Sequence, residues 1–270
     1  MKHVARKRFG QNFLVDQGVV DAIALAVAPQ QGQVVVEIGP GLGALTDALI
    51  DRMPASSLPL SVIELDRDLV ARLEQRYDAG TVEIHSGDVL DFDFAALATR
   101  RGKLRIVGNL PYNISTPLLF RLVDVADAIV DQHFMLQREV VQRMVAAPGE
   151  SDYSRLSVML QYRYTMESVL DVGPESFDPQ PKVHSAVVRM TPRDPALMQV
   201  RDERLFAELV SAGFSQRRKM LRNTLARFVV EIGAEAVESC GVPLQARAED
   251  ISPESWERLA NLIDSTRSPT

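Results

Sequence analysis

Val34-Val35-Val36-Glu37-Ile38-Gly39-Pro40-Gly41-Leu42-Gly43 is the stretch on which the fold turns. A short β-branched apolar run that ends in glycines reads as a buried strand followed by a tight turn. Residues 43–52 beyond it read as a helix. Leu60-Ser61-Val62-Ile63-Glu64 is a second strand, and residues 67–77, capped by Asp66, form a second helix. Thr81-Val82-Glu83-Ile84 is a third strand and Leu104-Arg105-Ile106-Val107 a fourth, with a helix over 115–124. His133-Phe134-Met135-Leu136 makes a fifth strand, and Val183 to Met190 a late one. Upstream, Asp16 caps a helix over 16–28 that stops before Pro29. Strands alternating with helices imply an α/β fold, its parallel sheet covered on both faces, with ligands bound beyond the carboxyl ends of the strands.

The pattern changes after Pro192. Residues 202–213, 217–231, 233–240 and 254–264 read as helices with no strand between them. The expected division is therefore 1–192 for the sheet domain and 193–270 for a smaller, all-helical domain.

Composition narrows the function classes. The chain is 46% hydrophobic and 24% charged, ordinary for a globular protein. Its single cysteine, Cys240, excludes an internal disulfide and a multi-cysteine zinc site, and His3, His85, His133 and His184 are scattered, so no metal is expected. No signal-peptide apolar region follows the basic start, and no run approaches the ~18 apolar residues of a membrane span. The expectation is a cytoplasmic protein with no membrane partner. The net charge of −6 is unevenly spread: Lys2, Arg6, Lys7 and Arg8 cluster at the start, and Arg217, Arg218, Lys219, Arg222 and Arg227 cluster late, neither group containing an acid. Each reads either as a solvated face or as a basic face for nucleic acid.

The glycine loop alone does not name a ligand. Gly39, Gly41 and Ala44 satisfy the loose dinucleotide fingerprint, and a bare strand–helix turn is also open. Glu64 ends the second strand, where a carboxylate accepts from both hydroxyls of a ribose. Asp88, after the third strand, suits an adenine amino group, which S-adenosylmethionine sites commonly contact and dinucleotide sites do not need. It also reads as a turn-forming Asp. Glu37, just before the glycines, is close to where a cationic aminoacyl group would sit.

Asn109-Leu110-Pro111-Tyr112-Asn113-Ile114-Ser115, after the fourth strand, is the most specific motif. The N6 lone pair of adenine is delocalised into the ring, so its attack on a methyl needs the nitrogen to move towards sp³. Two acceptors on its hydrogens favour that change as charge develops. The Asn109 side-chain carbonyl and the Leu110 backbone carbonyl, in a turn stiffened by Pro111, supply them, and Tyr112 offers a face on which the base stacks. The bland alternative is a turn with Tyr112 in the core. Phe177, before Asp178-Pro179-Gln180-Pro181-Lys182-Val183, reads as a second stacking wall or as a core residue beside a proline turn.

Arg6-Lys7-Arg8-Phe9-Gly10-Gln11-Asn12-Phe13-Leu14, the loop Glu37–Gly43, Val62-Ile63-Glu64-Leu65-Asp66, Asn109–Ser115 and Phe177–Val183 occur in that order. Together they resemble the small-subunit ribosomal RNA adenine-N6,N6-dimethyltransferases, the KsgA family, over about residues 5–192. The resemblance implies a Rossmann-like S-adenosylmethionine methyltransferase fold with a mostly parallel seven-stranded sheet. It also implies dimethylation of two adjacent adenosines in a hairpin near the 3′ end of small-subunit RNA, on an assembling subunit. By the matching positions, Asn12 and Leu14 close over the cofactor, Gly39 lies under its methionine part with Gly41 also among the cofactor-binding residues, Glu64 meets the ribose and Asp88 the adenine. Asn109 meets both the cofactor and the target amine. Leu110 stands where many DNA adenine methyltransferases have proline. Arg6, Lys7, Arg8, Arg217, Arg218, Lys219 and Arg222 become candidate RNA phosphate contacts. A monomer is expected, because the ribosomal particle supplies the partner surface. Rival readings are a large-subunit RNA methyltransferase, a DNA adenine methyltransferase, against which the lack of a target-recognition insert between the motifs speaks, and an assembly factor that holds immature small subunits.

Overall fold

The computed structural model describes residues 11–55, 57–197 and 200–267. Arg6, Lys7 and Arg8 lie outside them. The first elements are β1 (Phe13–Leu14), α1 (Gln17–Val27), β2 (Val34–Ile38), α2 (Ala44–Ile50), β3 (Leu60–Glu64), α3 (Arg67–Arg76) and β4 (Val82–Ser86). They continue with α4 (Phe94–Arg101), β5 (Leu104–Asn109), α5 (Ser115–Val123), β6 (Ile129–Gln137), α6 (Arg138–Val145), α7 (Arg155–Gln161), β7 (Tyr164–Val172), β8 (Phe177–Asp178) and β9 (Ser185–Pro192). The predicted caps form: Asp16 accepts from the N–H groups of Gly18 and Val19, and Asp66 from that of Asp68.

Seven strands make one sheet in the order β4-β3-β2-β5-β6-β9-β7. The β4–β3, β3–β2, β2–β5 and β5–β6 pairs are parallel, and β6–β9 is antiparallel. Every residue of β2 and β3 is buried, as a strand covered on both faces requires. The chain runs outward from β2 to β4 and then returns to β5 on the other side of β2. That reversal opens a crevice at the carboxyl ends of β2 and β5, the place where open α/β sheets bind ligands. β1 pairs antiparallel with β8, setting Leu14 opposite Phe177 and Phe13 opposite Asp178.

The strands depart from expectation in places. β6 begins at Ile129 rather than His133, because buried polar residues Asp131 and Gln132 interrupt its apolar pattern. β7 was not expected. It is an edge strand with mostly exposed or half-exposed side chains, so its sequence carries little apolar signal.

The described residues divide into two compact units, one ending at Val141 but also holding Met166–Pro192, the other made of Gln142–Thr165 and the chain from Arg193. The expected single boundary at 192 therefore misplaces the stretch 142–165. Tyr153, Val158 and Tyr162 belong to the same buried cluster as Phe206, Phe228 and Trp256, and the Tyr153 hydroxyl donates to the Ile251 carbonyl at 2.9 Å. The second unit is built on α8 (Glu203–Gly213), α9 (Leu221–Thr224), α10 (Ala226–Ile232), α11 (Ala234–Ser239) and α12 (Pro253–Arg267). Gly213 is required where α8 meets α12, since a Cβ there would lie 2.4 Å from the Trp256 ring.

The expected helix over 217–231 is instead a turn followed by α9 and α10. Tertiary hydrogen bonds override the helical pattern. The Leu221 and Arg222 N–H groups donate to the Ala246 and Leu244 carbonyls, which pulls Met220 into an extended conformation.

A buried ion pair ties the first unit together. Arg105 of β5 donates through Nε and Nη2 to the two carboxylate oxygens of Asp131 on β6 at 2.7 and 3.0 Å. Its Nη1 reaches the Val27 and Ala28 carbonyls at the end of α1, at 2.6 and 2.8 Å. Removing one partner strands the other charge in the interior, a loss of about 3–5 kcal/mol. Asp131→Ala is therefore expected to lower stability by that order in urea unfolding. A loss under about 1 kcal/mol would mean that the α1 carbonyls alone satisfy Arg105.

Candidate active site

A cavity of about 390 Å³ opens at the carboxyl ends of β2, β3 and β5. The glycine loop forms its floor. Gly39, Gly41 and Gly43 all have positive φ, at 66°, 59° and 86°. Glycine adopts that backbone without strain. At two of them space is also short: a Cβ at Gly41 would lie 3.1 Å from the Phe13 ring, and one at Gly43 would lie 2.6 Å from the Tyr77 hydroxyl, so a neighbour would have to move. The Gly39 N–H is held by the Ile63 carbonyl at 2.9 Å, which fixes the loop to the end of β3.

Carboxylates from successive strands line this cavity. Glu37, from β2, is 2% exposed, and its carboxyl accepts from the Thr46 hydroxyl at 2.7 Å. Burial pushes its carboxyl up to about 8, partly offset by Thr46 and reinforced by the nearby Glu64 and Asp47 charges. Glu64, at the end of β3, accepts from the Gly41 N–H at 3.2 Å and the Asp66 N–H at 2.9 Å. Burial raises its pKa, and those N–H groups oppose the rise. Asp88 is exposed at the cavity wall; one oxygen closes a turn by accepting from the Leu90 N–H at 2.9 Å, and the other has no described partner. Both readings of Asp88, turn former and ligand contact, thus apply to one side chain.

The reaction motif closes the opposite wall. Asn109, Leu110 and Tyr112 all line the cavity. The Asn109 Nδ2 donates to the Asn12 backbone carbonyl at 3.0 Å, which fixes the amide and leaves its Oδ1 without a described donor. The Leu110 N–H is satisfied by the Met135 carbonyl, and no described group donates to the Leu110 carbonyl. Tyr112 is half-buried, with its hydroxyl 3.0 Å from the Ser185 Oγ and its carbonyl accepting from the Ser115 hydroxyl. Phe13 and Leu14 of β1 cover the same cavity from the N-terminal side.

Phe177 corrects an expectation. It is 3% exposed, is packed in the apolar cluster that also holds Leu14, Val20 and Val172, and does not line the cavity. Along the two-residue β8 only one side chain faces inward, and the pairing with Leu14 turns Phe177 into the core and leaves Asp178 exposed. Of the two readings of Phe177, core residue and stacking wall, this arrangement carries the first.

The late basic residues also sort differently from their expectation. Arg217 donates to the Ser151 carbonyl and pairs with Glu249 at 3.6 Å, and Arg227 pairs with Glu208 at 2.7 Å. Arg218, Lys219 and Arg222 are exposed and have no ion pair among the described residues. Sequence reading missed Thr46, Ser115 and Ser185. The Thr46 and Ser185 hydroxyls act on Glu37 and Tyr112 across different elements, whereas the Ser115 hydroxyl reaches the Tyr112 carbonyl three residues back.

This donor set fits S-adenosylmethionine. Glu37 is a buried carboxyl with no cationic partner among the described residues, and an α-ammonium would supply one. Glu64 and Asp88 follow at successive strand ends and line the same cavity. No described group of three or more His, Cys, Asp or Glu side chains is placed to hold a metal ion, and no described helix is long and apolar enough to cross a membrane.

The Glu37 carboxyl makes stability fall with pH. Between its ordinary 4.5 and about 8, the unfolded chain gives up a proton that the folded state retains, so the folded state loses ground as pH rises through that window. Glu37→Gln removes this slope. It is expected to match the unliganded wild type near pH 4 and to exceed it by a few kcal/mol near pH 9, read from urea unfolding across pH. Parallel pH profiles would place the carboxyl in a more polar setting.

The described geometry agrees with what the chain is similar to. The family described as ribosomal RNA adenine dimethylase matches residues 2–265. Proteins named ribosomal RNA small subunit methyltransferase A are 57% identical in Burkholderia lata and 55% identical in Burkholderia pseudomallei. Each alignment covers 98% of this chain and 96% of the relative. Among solved structures, the dimethyladenosine transferase of Plasmodium falciparum shares the fold, with a TM-score of 0.78 at 24% identity over 94% of this chain and 98% of that one. The 23S rRNA methyltransferase ErmE aligns with a TM-score of 0.69 at 26% identity over 94% of this chain and 100% of its own. A family match over residues 2–265, with relatives 57% identical over nearly the whole chain, makes this protein a member of the ribosomal RNA adenine dimethylase family.

Proposed function

We propose that this protein dimethylates N6 of two adjacent adenosines in a hairpin near the 3′ end of small-subunit ribosomal RNA, acting on assembling subunits. The observation that carries the reading is the fixed Asn109 amide. With its Nδ2 committed to Asn12, its Oδ1 is an acceptor by construction. The free Leu110 carbonyl, one residue on, is the second acceptor. Together they draw on the two N6 hydrogens, localise the nitrogen lone pair and favour the tetrahedral geometry of attack. Tyr112 supplies a face for the adenine once it leaves its stack. S-adenosylmethionine, when bound, supplies an electrophilic methyl on a sulfonium. Glu37, Glu64 and Asp88 hold and orient it, with Asn12, Leu14, Gly39 and Gly41 closing the near side. The choice of subunit is supported by similarity: the small-subunit relative in Burkholderia lata is 57% identical, against 26% for the 23S rRNA methyltransferase ErmE.

Labelled methyl transfer from S-adenosylmethionine to purified, unmethylated small and large subunits, with mapping of the product nucleoside, tests this directly. The expected result is N6,N6-dimethyladenosine in the small subunit; label only in the large one would reverse the assignment. In the same assay Asn109→Ala is expected to lose about 10²–10³ in rate, as for one oxyanion-type donor or acceptor. It should still bind subunits, whereas full activity would remove the amide from the mechanism.

Arg218, Lys219 and Arg222 support an RNA contact on the second unit, because their charges are not spent on ion pairs among the described residues. The backbone bonds at Leu221 and Arg222 hold that segment in place. Reversing all three to Glu is expected to weaken subunit binding, and to flatten its salt dependence, without changing S-adenosylmethionine affinity. Unchanged subunit affinity would take this segment out of the RNA surface.

A further inference from the structure

We infer that Ser185 is a positioning residue for the target base, acting through the Tyr112 hydroxyl. The proposal rests on the reading of Tyr112 as the stacking platform and adds to it the means by which the ring is held. Tyr112 lies in a turn between β5 and α5 and is half-buried, so its ring has open space on the cavity side. The turn's backbone is pinned at both ends: the Leu110 N–H donates to Met135, and the Ser115 hydroxyl donates to the Tyr112 carbonyl at 3.0 Å. These contacts fix where the Cα sits and leave the direction of the ring to its side-chain torsions. The contact at the far end of the side chain is the one between Tyr112 Oη and Ser185 Oγ, at 3.0 Å.

Ser185 is suited to that task by its own placement. It is 1% exposed, it opens β9, and it is paired with Gln137 in the ladder between β6 and β9. Its Cα is therefore held by the sheet, and its buried hydroxyl has Tyr112 as its described hydrogen-bond partner. A phenol hydroxyl stays in the plane of its ring through conjugation. A hydrogen bond from a rigid partner thus favours one ring plane as well as one ring direction. A platform held in that way receives the flipped adenine without first being ordered, which is the benefit of preorganisation. Ser185 does not line the cavity, so it touches neither cofactor nor base.

The experiment is a double-mutant cycle on Ser185→Ala and Tyr112→Phe, with Tyr112→Ala as the reference for loss of the platform. Three readings are taken on each protein: S-adenosylmethionine affinity, KM and kcat on unmethylated small subunits, and quenching of 2-aminopurine placed at the target adenosine of an RNA hairpin. Tyr112→Phe keeps the ring and removes only the tether, so it tests the idea even if Ser185→Ala were to unfold. Each single change is expected to raise KM about threefold to tenfold, the range of one net hydrogen bond, and to weaken the quenching. S-adenosylmethionine affinity should not move. The double variant should behave like either single one, because both remove the same bond.

Additive losses, or normal KM and quenching in Tyr112→Phe, would overturn the tether. If Tyr112→Ala alone were severely impaired, the platform reading would survive that failure. If Tyr112→Ala also behaved as the wild type, both would fall.

Discussion

The hydrogen bond from the Asn109 amide to the Asn12 carbonyl is the contact around which the site is organised. An asparagine amide has a donor end and an acceptor end, and which one faces a ligand depends on what occupies the other. Here residues far apart in sequence settle the question. Asn12 belongs to the segment leading into β1, and β1 is stapled to β8 by its antiparallel pairing and by the Val15 N–H bond to the Ser176 carbonyl. The segment 174–178 therefore contributes to the site indirectly, through the strap that carries Asn12. Phe177 belongs to the same construction: buried beside Leu14, it anchors the strap.

The sheet places the remaining groups. Parallel strands align their carboxyl ends on one side, so Glu37, Glu64 and Asn109 arrive at a common crevice from β2, β3 and β5. The glycine loop keeps this crevice open, since its positive φ angles turn the chain away without placing a side chain against Phe13. Burial there has opposite effects on the two glutamates' usefulness. Glu64 is compensated by backbone N–H groups and can stay a rigid acceptor. Glu37 has one neutral hydroxyl and is left in want of a cation. The first is built into the loop, whereas the second is completed by what binds.

The helical unit shows how tertiary contacts revise a surface. Five late basic residues look alike in the sequence, yet Arg217 and Arg227 are engaged by Glu249 and Glu208, and Arg218, Lys219 and Arg222 have no ion pair among the described residues. Charge counted along the chain overstates what is available to a polyanion, because each intramolecular pair already neutralises part of it.

The sequence alone determined the alternation of strands and helices, because β2, β3, β5 and their helices follow the periodicities that burial on two faces or one imposes. It also determined the motif residues at the strand ends, since Glu37, Glu64, Asp88, Asn109 and Tyr112 all line the cavity as their positions after strands require. Tertiary structure decided what local pattern does not encode. It assigned 142–165 to the helical core through Tyr153 and Tyr162, extended β6 across the buried Arg105–Asp131 pair, and broke the expected helix at Met220 with hydrogen bonds to 244–246. It also turned Phe177 inward and set Ser185 against Tyr112. The common reason is range. Periodicity and capping act over a few residues, whereas these outcomes depend on partners dozens of positions away, whose proximity exists only once the chain has folded.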